Sequence, residues 1–350
     1  VTWPDAPAPV IEALRASSGG VVALRRSGGA AGLDRVSGGG VAVGVPEGVA
    51  WGRALAAVAA EGAWLATWAE PGDGPLRVHH LSGAPPTGHP VVIPGCATGD
   101  CWASARALSV DGDGVWVGGG WGVHSNEVAL VGFVARVDHE GRTTSGWSFD
   151  AGDPAFETSV DALAVVPAGV AVVGHRTLDA SGGDRLRLWF ALIGGDGAAR
   201  GPFDLGVDDA TWSSPAAPPA ASASGGAWVV AGVDPGARVA RVLRVTDDGV
   251  VASSAEVRLA DGDGVGVVAA RLLVGEVDGA VIVARSVSAT PTLPGEVTVS
   301  RLDPTTLAVV SRVTRALPIG ADVRAITLDG DRLVLGGQTP GGAFVVTVPE

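Results

Sequence analysis

Ala103-Ser104-Ala105-Arg106-Ala107-Leu108-Ser109-Val110, the turn Asp111-Gly112-Asp113-Gly114 and the run Val115-Trp116-Val117-Gly118 read in succession as strand, tight turn and strand. Both apolar runs are short, and the Asp-Gly pairs between them tolerate the left-handed backbone that a hairpin needs. A longer connection, Gly119 to Glu127, leads to a third run at Val131 to Val137. Asp138-His139-Glu140-Gly141 then turns the chain into a fourth run, Thr143 to Phe149. Four antiparallel strands in roughly fifty residues form a unit of the size of one propeller blade.

The second strand of that unit recurs along the chain. Val21 to Leu24, Ala63 to Ala66, Gly169 to Val173, Ala227 to Val230, Ala280 to Val283 and Arg332 to Leu335 are all short, apolar and followed by small or polar residues. Aligned on Val22, Trp64, Trp116, Ala171, Trp228, Val281 and Val334, their spacings are 42, 52, 55, 57, 53 and 53 residues. The turn between third and fourth strands also recurs, as Gly195-Asp196-Gly197, Thr246-Asp247-Asp248-Gly249 and the variant Asp303-Pro304-Thr305-Thr306. The sequence therefore predicts an all-β fold, a seven-bladed β-propeller with four antiparallel strands per blade. One domain over 1–350 is expected, with blades near 10–50, 53–95, 103–150, 160–206, 216–259, 266–316 and 322–350. The last blade runs out after its third strand, Ala343 to Val348, so residues 1–5, with Val1-Thr2-Trp3, are expected to supply the outer strand and close the ring. The innermost strand of the fifth blade, Ala216 to Ser222, is expected to be the weakest, because Pro218 and Pro219 cannot donate ladder hydrogen bonds.

Three segments carry a family likeness. Val131 to Gly141 (VGFVARVDHEG), Arg187 to Gly197 (RLWFALIGGDG) and Val239 to Gly249 (VARVLRVTDDG) resemble the secreted bacterial propellers of the delta-sixty and SBBP repeat type. The resemblance covers blades three to five well and the others loosely. It rests on turns and strands, so it carries over a fold and no catalytic residue. It implies a cell-surface, periplasmic or secreted protein of a class whose functions are mostly unassigned. Kelch repeats fit less well, since the aromatic pair of a kelch blade is missing. The stretch from Ser109 to Trp116 departs from a sialidase Asp-box at Asp113, where the box has Gly.

Composition narrows the chemistry. The 350 residues contain no Lys, Met or Tyr, and Asn126 and Gln338 stand alone of their kinds. This matches the codon bias of a GC-rich bacterium, and it removes a Lys Schiff base or a Tyr nucleophile from these residues. A net charge of −13 without a basic stripe argues against nucleic acid as a partner. No apolar run approaches the roughly 18 residues of a membrane-spanning helix. The numbering begins at Val1, so a removed N-terminal leader, with a lipid anchor as one form of it, is expected. Cys96 and Cys101 flank only Ala-Thr-Gly-Asp, and a local disulfide is expected, hence export from the cytoplasm.

Candidate site residues follow from topology. Successive blade strands are antiparallel, so the connections entering each first strand share a face with those between second and third strands. That face is expected to gather Trp51, Trp102, Trp121, His124, Glu127, Arg176, Trp212 and Arg285. Indoles with arginines and carboxylates suit a glycan or a protein ligand, because the ring offers an apolar face while polar groups fix orientation. Trp64, Trp116 and Trp228, at equivalent second-strand positions, read as wedge packing, whereas for Trp51, Trp102 and Trp212 packing and binding stand level. His79, His80 and His89 do not read as a metal cluster, since neighbours on a strand point to opposite faces. His124 and His175 are better placed but lack a third ligand, so neither metal nor cofactor is expected. The two Asp-Gly-Asp-Gly stretches, from Asp111 and Asp261, read as turns and lack the closing Glu of a calcium loop. No phosphate loop, dinucleotide fingerprint or nucleophile elbow occurs. The leading expectation is an extracytoplasmic binding or scaffold module without catalysis. An extracellular carbohydrate-active hydrolase or lyase using loop carboxylates such as Glu127 and Asp179 is the alternative. A structural component of a surface assembly is the third.

Overall fold

The computed structural model describes residues 2–3, 10–17, 20–27, 30–35, 40–43, 54–59, 62–68, 75–81, 88–96, 101–112, 114–123, 130–150, 157–177, 186–207, 216–233, 237–261, 270–288 and 295–348. Among them every regular element is a strand. After the short β1 (Thr2–Trp3), blade one holds β2 (Val10–Ser17), β3 (Gly20–Ser27), β4 (Ala30–Arg35) and β5 (Gly40–Val43). Blade two holds β6 (Ala54–Ala59), β7 (Gly62–Thr67), β8 (Arg77–Leu81) and β9 (Gly88–Pro90). Blade three holds β10 (Cys101–Asp111), β11 (Gly114–Val123), β12 (Val131–Val137) and β13 (Thr143–Phe149). Blade four holds β14 (Thr158–Val166), β15 (Gly169–Thr177), β16 (Leu186–Gly194) and β17 (Ala199–Asp204). Blade five holds β18 (Ala220–Ala221), β19 (Ala227–Gly232), β20 (Val239–Val245) and β21 (Val251–Arg258). Blade six holds β22 (Ala270–Val277), β23 (Ala280–Val287), β24 (Glu296–Leu302) and β25 (Val309–Ala316). In blade seven, β26 (Asp322–Asp329), β27 (Arg332–Thr339) and β28 (Gly342–Val348) are joined by β1 as the outer strand.

That last pairing closes the ring: Thr2 lies opposite Phe344 and Trp3 opposite Ala343, as the missing fourth strand required. All seven sheets are antiparallel and four-stranded. The fold is a seven-bladed β-propeller.

The core is divided among the wedges between blades. Residues of a strand alternate between its two faces, so a middle strand feeds two separate clusters. In β19, Ala227, Val229 and Ala231 pack against blade four, while Trp228 and Val230 pack against blade six. In β27, Leu333 and Leu335 meet blade six, and Val334 meets Ile11, Val21 and Ala23 of blade one. Trp64, Trp116 and Trp228 fill wedges at 2%, 7% and 1% exposure. The Trp64 ring stacks on His80 at 4.7 Å, and the Trp228 indole nitrogen donates to Glu276 Oε2 at 2.7 Å.

One segment departs from the sequence expectation for a clear reason, and another follows it. The second strand of blade three does not stop at Gly118 but continues to Val123. The glycines there are strand residues because neighbours crowd them. A Cβ on Gly118 would lie 2.6 Å from Val160 Cγ1, and one on Gly119 would lie 1.9 Å from the Ser104 carbonyl oxygen. In blade five, Pro218 and Pro219 reduce the innermost strand to a bridge between Ala216 and Ala231 plus the two residues of β18.

Candidate functional site in the channel

The innermost strands of all seven blades border one cavity of about 480 Å³. Its lining comes mostly from the middle stretches of those strands, so it lies within the channel. Its charged groups are Glu12 and Arg15 of blade one, Arg106 and Asp161 of blades three and four, Arg271 of blade six and Arg324 of blade seven. Blades two and five contribute Ala56, Ala57, Ala216 and Pro218 instead. The wall therefore has two charged arcs separated by small side chains.

A shared irregularity puts four of these charges there. The register between first and second strands slips between Ile11 and Ala13, between Ala105 and Ala107, between Val160 and Ala162, and between Val323 and Ala325. The residues skipped in these ladders are Glu12, Arg106, Asp161 and Arg324. A β-bulge sets one extra residue against the partner strand and re-aims its side chain. Here the apolar residues on either side of the bulge keep their wedge contacts, and the charge joins the channel wall. The local sequence is the same each time: a charged residue, then Ala, then Leu or Ile, as in Glu12-Ala13-Leu14 and Arg324-Ala325-Ile326.

The charges form two linked groups. Arg324 Nε lies 2.9 Å from Asp322 Oδ2 and its Nη1 lies 3.6 Å from Glu12 Oε2, while Arg26 Nε reaches Glu12 Oε1 at 2.7 Å. Across the ring, Arg106 Nη1 lies 3.2 Å from Asp161 Oδ1, and the buried His175 sets its Nδ1 2.5 Å from Asp161 Oδ2. Each group bridges neighbouring blades. Two arginines stand apart from these pairs. Arg271 donates from Nε to the Val323 carbonyl at 2.9 Å, and Arg15 donates from Nη1 to the Val58 carbonyl at 3.4 Å. Neither has a carboxylate within ion-pair distance among the described residues. Arg271 borders the channel water although the ring surrounds it. That desolvation lowers its pKa from the ordinary arginine value and the Arg324 guanidinium adds to the effect, with Asp322 and Glu12 opposing.

Among the described residues, none of those singled out from sequence lines this cavity. Trp51, His124, Glu127 and Trp212 lie outside the described residues, as does Asp179. Trp121, Arg176 and Arg285 fall on second strands, which run further than their apolar stretches indicate. Trp121 is buried on β11 in the wedge between blades two and three. Arg285 is 1% exposed on β23, with Nη1 on Glu296 Oε1 at 2.5 Å. That burial places it in the wall rather than on a ligand-facing loop. Arg176 ends β15 half-buried, 3.7 Å from Asp204, beside Arg187, which holds the same carboxylate at 3.1 Å. Trp102 is half-buried on β10 with its ring over Gly122.

Cys96 and Cys101 form the disulfide, with Cα atoms 5.9 Å apart. His79 and His80 take opposite faces of β8. His79 is buried against Thr67 Oγ1 at 3.0 Å, and burial, then Arg77 and His89, bring its pKa down to about 4. No group of three or more metal-ligating side chains is assembled among the described residues. The channel charges escaped the sequence reading, although the repeated charged-Ala-Leu/Ile triplet was the signal that could have found them.

Solved structures repeat the fold. The chain aligns over 98% of its length with 90% of a polysaccharide lyase, Uly1, at a TM-score of 0.54 and 10% identity. It aligns over 99% of its length with a puromycin hydrolase at a TM-score of 0.51 and 14% identity, covering 52% of that chain. A puromycin-hydrolyzing peptidase of Mycobacterium tuberculosis gives 0.51 and 16% identity, with 99% of this chain on 53% of that one. The chain thus spans about half the length of the two puromycin-cleaving proteins. At these identities the likeness concerns the propeller frame. No family model and no curated protein matches the chain.

Proposed function

We propose that this propeller is an extracytoplasmic binding module whose ligand seats in the charged part of its channel. The observation that carries the reading is the repeated bulge: four blades turn a charged residue flanked by apolar neighbours into one cavity. Packing alone gives no reason to place Glu12, Arg106, Asp161 and Arg324 there. Polar groups converging on a concave surface are what ligand recognition requires. The volume of about 480 Å³ suits a small molecule or the end of a glycan rather than a folded partner. The disulfide supports a location outside the cytoplasm.

A glycan and metabolite array tests the reading when run on the protein and on Ala57→Trp. Ala57 is half-buried at the channel wall, so an indole there fills the cavity. Binding by the parent and none by the variant is the expected result. Binding that Ala57→Trp leaves unchanged puts the ligand elsewhere and ends the proposal.

One observation favours a second reading, a carbohydrate-active hydrolase or lyase. Asp161 is a channel carboxylate held on one side by Arg106 and on the other by His175, so its position is fixed by two partners. Polysaccharide turnover abolished by Asp161→Asn establishes that reading and displaces the binding-only one.

A further inference from the structure

Resting on the channel as the binding site, we propose that its ligand is a small organic molecule carrying an oxyanion, a carboxylate or a phosphate, held by Arg271 and Arg15 with Arg324 between them. The chain has 37 acidic and 24 basic side chains, so carboxylates are in excess. Several arginines elsewhere take them up: Arg25 pairs with Asp34, Arg142 with Asp138, Arg187 with Asp204 and Arg241 with Glu256. Arg271 and Arg15 do not, and both border the same cavity.

The carboxylates nearest to them are already engaged. Glu12 is occupied by Arg26 and Arg324. Asp322 is occupied by Arg324 and by donors from Ser288 and Gln338. What remains on blades six, seven and one is an arc of guanidinium groups whose outer partners are spent. Arg271 is also oriented. Its Nε is fixed on the Val323 carbonyl, so the two Nη atoms cannot turn to the wall through that bond. A guanidinium with its Nε tied back presents a planar pair of donors, the geometry that grips a carboxylate or phosphate with two parallel bonds. Narrow, low-dielectric surroundings strengthen such a contact and concentrate anions against the overall charge of −13.

The opposite arc completes the match. Arg106 and Asp161 offer a donor and an acceptor across the cavity, suited to hydroxyls on the remainder of the ligand. Ala57 and Pro218 leave space on the two sides between the arcs. An acidic monosaccharide meets these demands of size, charge and hydroxyl content.

Isothermal titration with glucuronate, glucose, glucose 6-phosphate and inorganic phosphate tests the assignment. Glucuronate or glucose 6-phosphate is expected to bind at least about tenfold more tightly than glucose. Arg271→Gln and Arg15→Gln are each expected to weaken that binding about tenfold or more. Arg332→Gln, which removes the same charge from an exposed position at the far end of β27, leaves it unchanged. Arg271→Lys keeps the charge and loses the planar fork, so it falls between parent and Arg271→Gln. Each variant is first checked for an unchanged thermal transition without ligand. Competition by inorganic phosphate assigns the site to oxyanions at large, and its failure confines the site to sugar acids. Glucose binding as tightly as glucuronate, or anion binding that survives both glutamine variants, overturns the proposal. In that case Ala57→Trp still decides separately whether the channel is the site. An array ligand that is blocked by Ala57→Trp but carries no anion also overturns it.

Discussion

Trp228 of β19 and Arg271 of β22 belong to adjacent blades, and each lies on a short strand rich in small apolar residues. Trp228 is 1% exposed, sealed in a wedge with its indole nitrogen on Glu276. Arg271 faces the channel, with its Nε on the Val323 carbonyl. The contrast extends through the repeat. Second strands are closed on both faces, as in β11 and β23, where nearly every residue is buried. Innermost strands are closed against the wedges and open toward the axis, with burial that alternates or lapses, as in β26. One repeat thus makes a wall that takes few polar side chains, such as Arg285 on Glu296, and a lining that accepts more. Stability and recognition are assigned to different strands.

The severest test of this division is Trp228→Ala. Emptying a wedge of its largest side chain and removing the indole donor from Glu276 is expected to cost about 3–5 kcal/mol in denaturant unfolding, as large-to-small core changes do. A loss below about 1 kcal/mol would break the comparison, because the wall would then be no more demanding than the lining. Removal of residues 1–8 comes next. It strips β1 from the edge of β28 and is expected to cost about 1–2 kcal/mol through lost ladder bonds and pairs. Calorimetry should register a lower Tm, and an identical transition would mean that the ring closes without its outer strand. A milder effect concerns His79. Its folded pKa of about 4 is below the unfolded value of 6.5, so the unfolded chain binds more protons between these limits. Its contribution to stability is complete above pH 6.5, declines as the pH falls and is lost near pH 4. His79→Gln, compared with the parent across that window, should flatten the slope. The smallest effect is expected for Arg15→Gln, which removes a single 3.4 Å contact from the lining and should shift unfolding by less than about 0.5 kcal/mol.

Sequence reading reached the wall and stopped there. The seven second strands, the four-stranded unit, the closure by Thr2 and Trp3, the weak innermost strand at Pro218-Pro219 and the local disulfide were all legible. Each is written in period-two apolarity, turn chemistry or simple spacing. The positions of Trp121, Arg176 and Arg285 were not, because glycine and arginine mark where an apolar run ends, not where a ladder ends. Gly118 and Gly119 stay in the sheet through crowding from Val160 and Ser104, which are distant in sequence or on the partner strand. The channel was illegible for a related reason. A lone charge inside a strand reads as a solvent-facing residue at ordinary register. Only the slip opposite Gly118, Val173 and their equivalents reveals that Arg106 and Asp161 are extra residues re-aimed toward the axis.

The alternation of β19 between two wedges has a consequence for how substitutions combine. Trp228 and Val229 are joined by a peptide bond yet belong to separate cores, so their effects on stability should add as if the residues were remote. Trp228 and Glu276 are 48 positions apart and share a hydrogen bond, so theirs should not. Thermodynamic coupling in this molecule runs around the ring from blade to blade, and it skips the nearest neighbour along the chain.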